Sequence, residues 1–266
     1  MYPYPEGVGK PIEQFTSKSS IEISNLDLKN TIITIFGLPS TGKGTLSRAV
    51  AKRLNLPVFD TGVMYRVFTY FLVKNSHSYN LDCLDLFIKD FNLDLVDNQI
   101  VVYLEGLKLE NKDIRNPSID SVMGNYTKLP EVRKMIDGLI AGFVLRSSFV
   151  TDGRGAYDGY LLEAEKLKVK VIRVLLQAEQ AERIRRRFID YLELERGTEI
   201  TAEKVQNLWK TCEEIVKLRD EEEIIKEKNL NLGMVSPDSG VLDTTSLTID
   251  QAVEAVLGWL NLELKN

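Results

Sequence analysis

Residues 31–45 read TIITIFGLPSTGKGT, the most informative segment of the chain. The first six residues are a β-branched run of strand length, and apolar residues recur at helical spacing from Gly44 to Leu54. Residues 37–45 match the phosphate-binding loop pattern as far as Gly42-Lys43. A strand, a glycine loop and a helix in this order let backbone N–H groups converge on phosphate oxygens, so the segment predicts a nucleoside triphosphate site.

The side chains of the loop indicate how ATP and its magnesium ion are bound. We expect the Lys43 ammonium to bridge the outer phosphates of ATP and to act in catalysis. Gly44 stands where many such loops have a serine or threonine, so it cannot supply a hydroxyl to magnesium. We therefore expect the Mg²⁺ that accompanies ATP to be held by phosphates and water, with Asp152 at a strand end as the one candidate protein ligand. The predicted ATP-binding loop residues are Gly37, Leu38, Pro39, Ser40, Thr41, Gly42, Lys43, Gly44 and Thr45.

Strands and helices alternate along most of the remaining chain. Further strands are predicted at 148–151, 169–176 and 240–243, and helices at 178–191, from Pro130, from Thr201 and from Thr248. Residues 92–109 alternate apolar and polar side chains around turns at Asp97-Asn98 and Glu105-Gly106, which predicts an antiparallel meander. Alternating strands and helices are typical of a mainly parallel sheet, so we expect an α/β fold with the meander as an insertion.

The composition is that of a globular enzyme and excludes several other classes. The chain has 266 residues, a net charge of −5 and a pI near 5.2, which argues against a nucleic-acid scaffold. The single histidine, His77, excludes mechanisms that need two, and Cys83 and Cys212 are too few for a disulfide framework or a cysteine metal site. Short apolar runs and the lack of a leader pattern predict a cytoplasmic protein without a membrane partner, and the acidic charge predicts that it has no nucleic-acid partner. We expect a monomer or a weak oligomer.

Several further motifs resemble the bacterial cytidylate kinase family of P-loop nucleoside monophosphate kinases, over most of residues 31–260. Residues 60–66 (DTGVMYR) are similar to the acceptor-binding motif of that family, and Asp152-Gly153-Arg154 is similar to its Asp-Gly-Arg motif. Shorter segments that resemble the family are the Gly-Lys-Gly-Thr loop ending, residues 111–115 (NKDIR), Val132-Arg133 and Asp243-Thr244-Thr245. The motifs follow the family's order along the chain.

The resemblance implies ATP-dependent phosphoryl transfer to a nucleoside monophosphate, CMP or dCMP first among them. A monophosphate is a dianion, so its site needs arginines on rigid elements, and Arg66 and Arg154 are the candidates. The implied acceptor-binding residues are Asp60, Thr61, Tyr65, Arg66, Arg133, Arg154 and Arg219. Arg219 also continues the apolar face of the helix that begins near Thr201, so we expect it to point inward toward a phosphate.

Arginines of helix 178–191 resemble the lid arginines of the family, which neutralise the transferring phosphoryl group and exclude water. The implied catalytic residues are Lys43, Asp152, Arg183 and Arg187, and Arg186 joins the ATP-binding residues. The expected fold is a three-layer P-loop α/β fold with a mainly parallel sheet, an inserted monophosphate-binding lobe and a helical lid. The expected divisions are an N-terminal arm at 1–30 and a kinase domain at 31–266, with the insertion at about 85–147 and the lid at about 185–230.

The chain departs from the family pattern in the acceptor and lid regions. Gly155 stands where the family has a nucleotide-contacting aspartate, Gly124 stands near the position of a serine beside the base, and Glu221 to Glu223 replace arginines. Two alternatives therefore stay open. The first is a P-loop kinase for another monophosphate or a small-molecule acceptor, which a substrate panel would reveal. The second is a nucleotide-binding regulatory protein with weak catalysis, which would bind ATP without turnover.

Overall fold

A six-stranded parallel sheet forms the centre of the protein. The computed structural model describes residues 9–12, 26–75, 79–114, 117–152, 158–194, 201–230 and 236–265. Within them the strands are β1 (Lys10–Pro11), β2 (Thr31–Gly37), β3 (Val58–Phe59), β4 (Phe91–Val96), β5 (Gln99–Leu104), β6 (Leu107–Lys108), β7 (Phe149–Thr151), β8 (Lys170–Gln177) and β9 (Gly240–Asp243). The central sheet has the order β1-β9-β8-β2-β7-β3, and each neighbouring pair is parallel. The predicted mainly parallel α/β fold is confirmed.

Helices cover both faces of this sheet. The described helices are α1 (Lys43–Leu54), α2 (Gly62–Lys74), α3 (Asp82–Asp90), α4 (Asn111–Ile114), α5 (Pro117–Tyr126), α6 (Pro130–Val144), α7 (Gly159–Lys166), α8 (Gln180–Leu194), α9 (Ala202–Leu230) and α10 (Ile249–Lys265). Side chains alternate across β2, which is buried along its whole length. Ile32 packs into the core formed with α2 and α6, whereas Ile33 and Ile35 pack into the core formed with α1 and α10. The result is a three-layer α/β arrangement.

The meander predicted at 92–109 is present as a second, antiparallel sheet of β4, β5 and β6. Its first turn has Asp97 at φ +50° and Asn98 at φ +59°, the left-handed pair that a two-residue hairpin requires. The sheet packs on the α2 and α6 side of the central sheet, since Leu93, Val102 and Leu104 belong to that core. Proline opens α6 at Pro130, as predicted.

The segment before β2 contributes an edge strand. The Lys10 backbone N–H donates to the Ser239 carbonyl at 2.8 Å, and the Ile12 N–H donates to the Val241 carbonyl at 2.8 Å. Ile12 is buried in the core that also contains Trp259 of α10. Part of the expected N-terminal arm thus docks on β9. None of the described helices combines the length and apolar character that crossing a bilayer would demand.

Candidate active site

The phosphate loop joins the carboxyl end of β2 to the first residue of α1. Its backbone is left-handed at Gly37 (φ +141°), Ser40 (φ +62°) and Gly42 (φ +93°). A Cβ at Gly37 would overlap the Leu176 carbonyl of β8, so the chain can leave the sheet here only as glycine. The loop geometry thus depends on the glycines that the motif contains.

The Lys43 ammonium lies within the loop. Its Nζ donates to the Leu38 carbonyl at 2.8 Å, and the buried Thr41 hydroxyl donates to the same carbonyl at 2.9 Å. Lys43 is half-buried and Thr45 is exposed on the first turn of α1. The lysine is therefore positioned beside the positive end of α1, where phosphate oxygens are stabilised.

Two carboxylates stand at the ends of neighbouring strands. Asp60 follows β3, and its Oδ1 accepts a hydrogen bond from the Gly62 N–H at 2.9 Å, which opens α2. Asp152 follows β7 and is half-buried. Burial raises the pKa of Asp152 first, the charge of Asp60 raises it further, and Lys43 and Arg48 act in the opposite direction. The loop lysine and both carboxylates therefore share one electrostatic environment.

Arg48, which the sequence motifs did not indicate, belongs to this environment. A Cβ added at Gly44 would lie 3.4 Å from Arg48 Nη1 and 3.6 Å from Asp152 Oδ2, so both charged groups approach each other over Gly44. Arg48 follows Gly44 by four residues on α1, which places both on one helix face. A cavity of about 470 Å³ is lined by these residues, by Asp60 and by residues 98–100 at the tip of the meander.

The predicted acceptor residues that the structure describes lie on α2 or just before it, on α6 and on α9. Thr61, Tyr65 and Arg66 are half-buried, and Tyr65 packs against the core. Arg66 Nη1 donates to the Ile114 carbonyl of α4 at 3.3 Å. Arg133 is exposed on α6, and its Nε donates to the Thr127 carbonyl at 2.6 Å. Arg154 lies outside the described residues, so its expected convergence with Arg66 stays a prediction.

A second cavity, of about 720 Å³, lies between α6 and α7 and is lined in part by Arg133 and Asp137. The Asp137 carboxylate meets the N-terminus of α7, where a Cβ at Gly159 would overlap it and where the Tyr160 backbone N–H bonds to it. Burial, followed by the charge of Asp158, raises the pKa of Asp137 to about 6, while Arg133 and the Tyr160 N–H act against this rise. Neither spacing nor a motif marked Asp137 in the sequence.

The three predicted arginines of α8 contact protein atoms in this structure. Arg183 is buried, and Arg183 Nη1 lies 3.4 Å from the Pro39 carbonyl of the phosphate loop. Arg186 Nη1 donates to the Thr41 carbonyl at 3.1 Å. Arg187 Nη2 donates to the Tyr191 hydroxyl at 3.0 Å, and its guanidinium lies 4.8 Å from the centre of that ring. Two of the three thus adjoin the loop, while their catalytic and ATP-binding roles stay predictions.

The expected inward orientation of Arg219 is wrong, because Arg219 is exposed. The buried face of α9 runs through Cys212, Val216 and Asp220, at intervals of four residues. Arg219 lies about 100° away from Asp220 around the helix axis. Asp220 instead enters the interior and pairs with Arg183, at 2.7 Å for each of two hydrogen bonds.

A phosphate loop at the carboxyl edge of a parallel sheet, with strand-end carboxylates and arginines on adjoining helices, defines a P-loop nucleotide kinase. The family model for cytidylate kinase matches residues 33–261. The cytidylate kinase of Carboxydothermus hydrogenoformans is 31% identical, over 85% of this chain and 95% of that protein. That of Alkaliphilus metalliredigens is 30% identical, over 86% of this chain and 96% of that protein. Among solved structures, a shikimate kinase from Bacteroides thetaiotaomicron covers 89% of this chain and 99% of its own, at 14% identity and a TM-score of 0.43. The chain belongs to the cytidylate kinase family, which confirms the resemblance found in the sequence.

Proposed function

We propose that this protein transfers the γ-phosphoryl group of ATP to cytidine monophosphate, CMP or dCMP, giving the nucleoside diphosphate and ADP. The observation that carries the proposal is the shared environment of Lys43, Asp60 and Asp152 at the carboxyl edge of the sheet. It combines a cation for the phosphates with carboxylates for a metal ion and its waters. Membership of the cytidylate kinase family supports a cytosine nucleotide as the acceptor.

The proposed chemistry is a direct in-line transfer. An oxygen of the acceptor phosphate forms a bond to the γ-phosphorus while the bond from that phosphorus to the β,γ-bridging oxygen breaks, and ADP leaves with the electron pair. No side chain has to act as a strong base, because a phosphate oxygen is already nucleophilic. Lys43 Nζ, now 2.8 Å from the Leu38 carbonyl, would exchange that carbonyl for phosphate oxygens and neutralise their charge.

The acceptor would be held mainly by arginine. Arg66 is on the second turn of α2, four residues after Gly62. The Gly62 N–H donates a hydrogen bond to the Asp60 carboxylate. A guanidinium can pair bidentately with a phosphate dianion, and we propose this role for Arg66 toward the acceptor phosphate. We further propose that residues of about 85–147 form the acceptor lobe and residues of about 185–230 the lid. Contacts of Arg183 and Arg186 of α8 with carbonyl groups of the phosphate loop support this assignment of the lid.

Magnesium is the ion that ATP chemistry implies, and the residues present fit it. Among the described residues, no three His, Cys, Asp or Glu side chains gather as a ligand cluster. Mg²⁺ in kinases keeps several waters and takes one or two carboxylates together with substrate phosphates, so Asp152, with Asp60 beside it, is a sufficient donor set. When bound, the ion neutralises charge on the β- and γ-phosphate oxygens.

The test is ADP formation from ATP and Mg²⁺ over a panel of CMP, dCMP, UMP, AMP, GMP and small alcohols. We expect CMP or dCMP to give the highest kcat/KM. A higher kcat/KM for another acceptor would support the first alternative, a kinase of different specificity. Calorimetric ATP binding without ADP formation from any acceptor would support the second, a weakly catalytic nucleotide-binding protein.

We also propose a cytoplasmic location and a monomeric or weakly associated state. Cys83 and Cys212 are buried and form no disulfide, which suits a reducing compartment. Light scattering at micromolar protein concentration tests the oligomeric state.

A further inference from the structure

The rear of the phosphate loop, meaning the side that carries the Pro39 and Thr41 carbonyl groups, packs against protein atoms. The Thr41 carbonyl oxygen lies 3.1 Å from Thr244 Oγ1 and 3.1 Å from Arg186 Nη1. Thr244 follows β9 and is 203 residues from Thr41 in sequence. The fold therefore brings a distant threonine to the back of the loop, on the side away from the expected nucleotide.

Thr244 connects four parts of the protein. It is 5% exposed, and its backbone N–H donates to the Gln177 carbonyl at the end of β8 at 2.8 Å. Its carbonyl accepts from Arg186 Nη2 at 2.6 Å, and its hydroxyl oxygen accepts from Arg186 Nη1 at 3.1 Å. The hydroxyl has one hydrogen, which it can donate to the Thr41 or the Gln177 carbonyl, each 3.1 Å away. Thr244 thus ties the loop to β8, β9 and α8.

The contact on Thr41 controls the direction of the next N–H. The Thr41 carbonyl and the Gly42 N–H belong to one planar trans peptide, so they point in opposite directions. Holding the carbonyl toward Thr244 and Arg186 therefore turns the Gly42 N–H toward the open side of the loop.

The loop needs this support because its backbone is strained. Ser40 adopts a φ of +62°, which for a residue other than glycine is about 1–2 kcal/mol less favourable than a right-handed conformation. Such conformations persist only where surrounding contacts determine them. The contacts on the rear of the loop stabilise this left-handed conformation.

We propose that Thr244 is a positioning residue for the phosphate groups of ATP. Its hydroxyl holds the Thr41–Gly42 peptide in the orientation in which the Gly42 N–H faces these phosphate groups. This inference rests on the proposed ATP-dependent function. Thr244 acts through the loop and touches no reacting atom. It therefore affects ATP binding and leaves acceptor binding unchanged.

The test compares Thr244→Val, which has the shape of threonine without its hydroxyl, with Thr244→Ser, which keeps the hydroxyl. We expect Thr244→Val to raise the calorimetric Kd for ATP about five- to tenfold, the change that one net hydrogen bond produces. The KM for ATP should rise in parallel, while the KM for CMP changes less than about twofold. Thr244→Ser should stay within about twofold of the wild type in both constants.

The neighbouring Thr245→Val is the matched control. The Thr245 hydroxyl donates to Asp243 Oδ1 at 2.6 Å and accepts from the Glu179 N–H at 2.9 Å, so it is hydrogen-bonded without contacting the loop. Thr245→Val should leave the Kd for ATP unchanged, and thermal unfolding of all three variants reports their folding.

Three outcomes would each overturn the proposal. They are wild-type ATP affinity in Thr244→Val, equal losses of ATP affinity in both valine variants, and a rise in the KM for CMP equal to the rise in the KM for ATP. If the wild type binds ATP but transfers to no acceptor, the proposed function fails, and the ATP affinities still decide the role of Thr244.

Discussion

Arg183 and Asp220 form a bidentate ion pair in the interior, with both N–O distances at 2.7 Å. Arg183 is 3% exposed and Asp220 is 9% exposed. The pair joins α8 to α9, and the same guanidinium donates through Nε to the Ala178 carbonyl at 3.2 Å. A buried pair of this kind compensates for lost hydration only while both charges are present.

Replacing Asp220 by asparagine should therefore destabilise the protein by about 3 kcal/mol, because the Arg183 charge is left buried without its partner. Urea unfolding measures the change. The adjacent Glu221 is exposed, so Glu221→Gln is the control and should change stability by less than about 0.5 kcal/mol. The double variant Arg183→Met with Asp220→Leu should recover most of the loss. Equal stability of Asp220→Asn and wild type would show that the pair does not hold α9.

Lys43→Ala should lower kcat by about a hundred-fold or more, because it removes a preorganised charge at the transferring phosphate. The fold should stay intact, since the lysine is only half-buried and donates a hydrogen bond to a carbonyl of the loop itself. Steady-state ADP formation and thermal unfolding measure the two effects. Lys89→Ala, on the exposed last turn of α3, controls for loss of a positive charge. Near-normal turnover in Lys43→Ala would refute the assigned site.

Arg66→Ala should raise the KM for CMP and lower kcat, because a poorly held dianion reaches the in-line geometry less often. The KM for ATP should change little. Arg185→Ala is the control, since Arg185 is exposed and pairs with Glu182 within α8. A variant that loses ATP binding while keeping its KM for CMP would show that Arg66 does not serve the acceptor.

The raised pKa of Asp137 makes its contribution to the stability of the protein dependent on pH. Its pKa of about 6 in the folded protein lies above the ordinary value of 3.8, so the folded state holds this proton more tightly than the unfolded state. The contribution of Asp137 to stability should consequently fall as the pH rises from about 4 to about 6 and should not change further above that range.

Asp137→Asn removes the penalty of a buried charge and keeps an oxygen for the Tyr160 N–H. Above pH 6 the variant should be more stable than wild type by about 1–2 kcal/mol, a value reduced for the partial exposure of the carboxylate. The difference should vanish near pH 4. Urea unfolding at both pH values measures it, with Glu214→Gln at an exposed position of α9 as the control. A constant difference at both pH values would contradict the assigned titration.

Local sequence signals located the elements that position the site. The β-branched run, the glycines and Lys43 were sufficient to place β2, the loop and α1, because each signal acts within a few residues. The cap at Thr248 was equally local: its N–H donates to Gln251 Oε1 at 2.9 Å and its hydroxyl accepts from the Gln251 N–H at 3.3 Å. Pro130 marked the start of α6 for the same reason.

Contacts between distant segments could not be predicted in this way. The approach of Thr244 to Thr41 and the burial of Asp137 against α7 exist only after the sheet and helices have packed. The error at Arg219 was one of helical phase, since a shift of one residue moves a side chain about 100° around the helix. Arg48 could have been found, because it lies four residues after Gly44 on the same face of α1.

The short strand β1 also determines where the central sheet stops. Lys10 and Ile12 direct their N–H groups to β9. The residue between them is Pro11, and its backbone nitrogen therefore faces away from β9. Proline has no hydrogen on this nitrogen, so the outer side of β1 lacks the donor that an incoming strand would need there. A single proline thus disfavours the addition of another molecule's strand to this rim of the sheet.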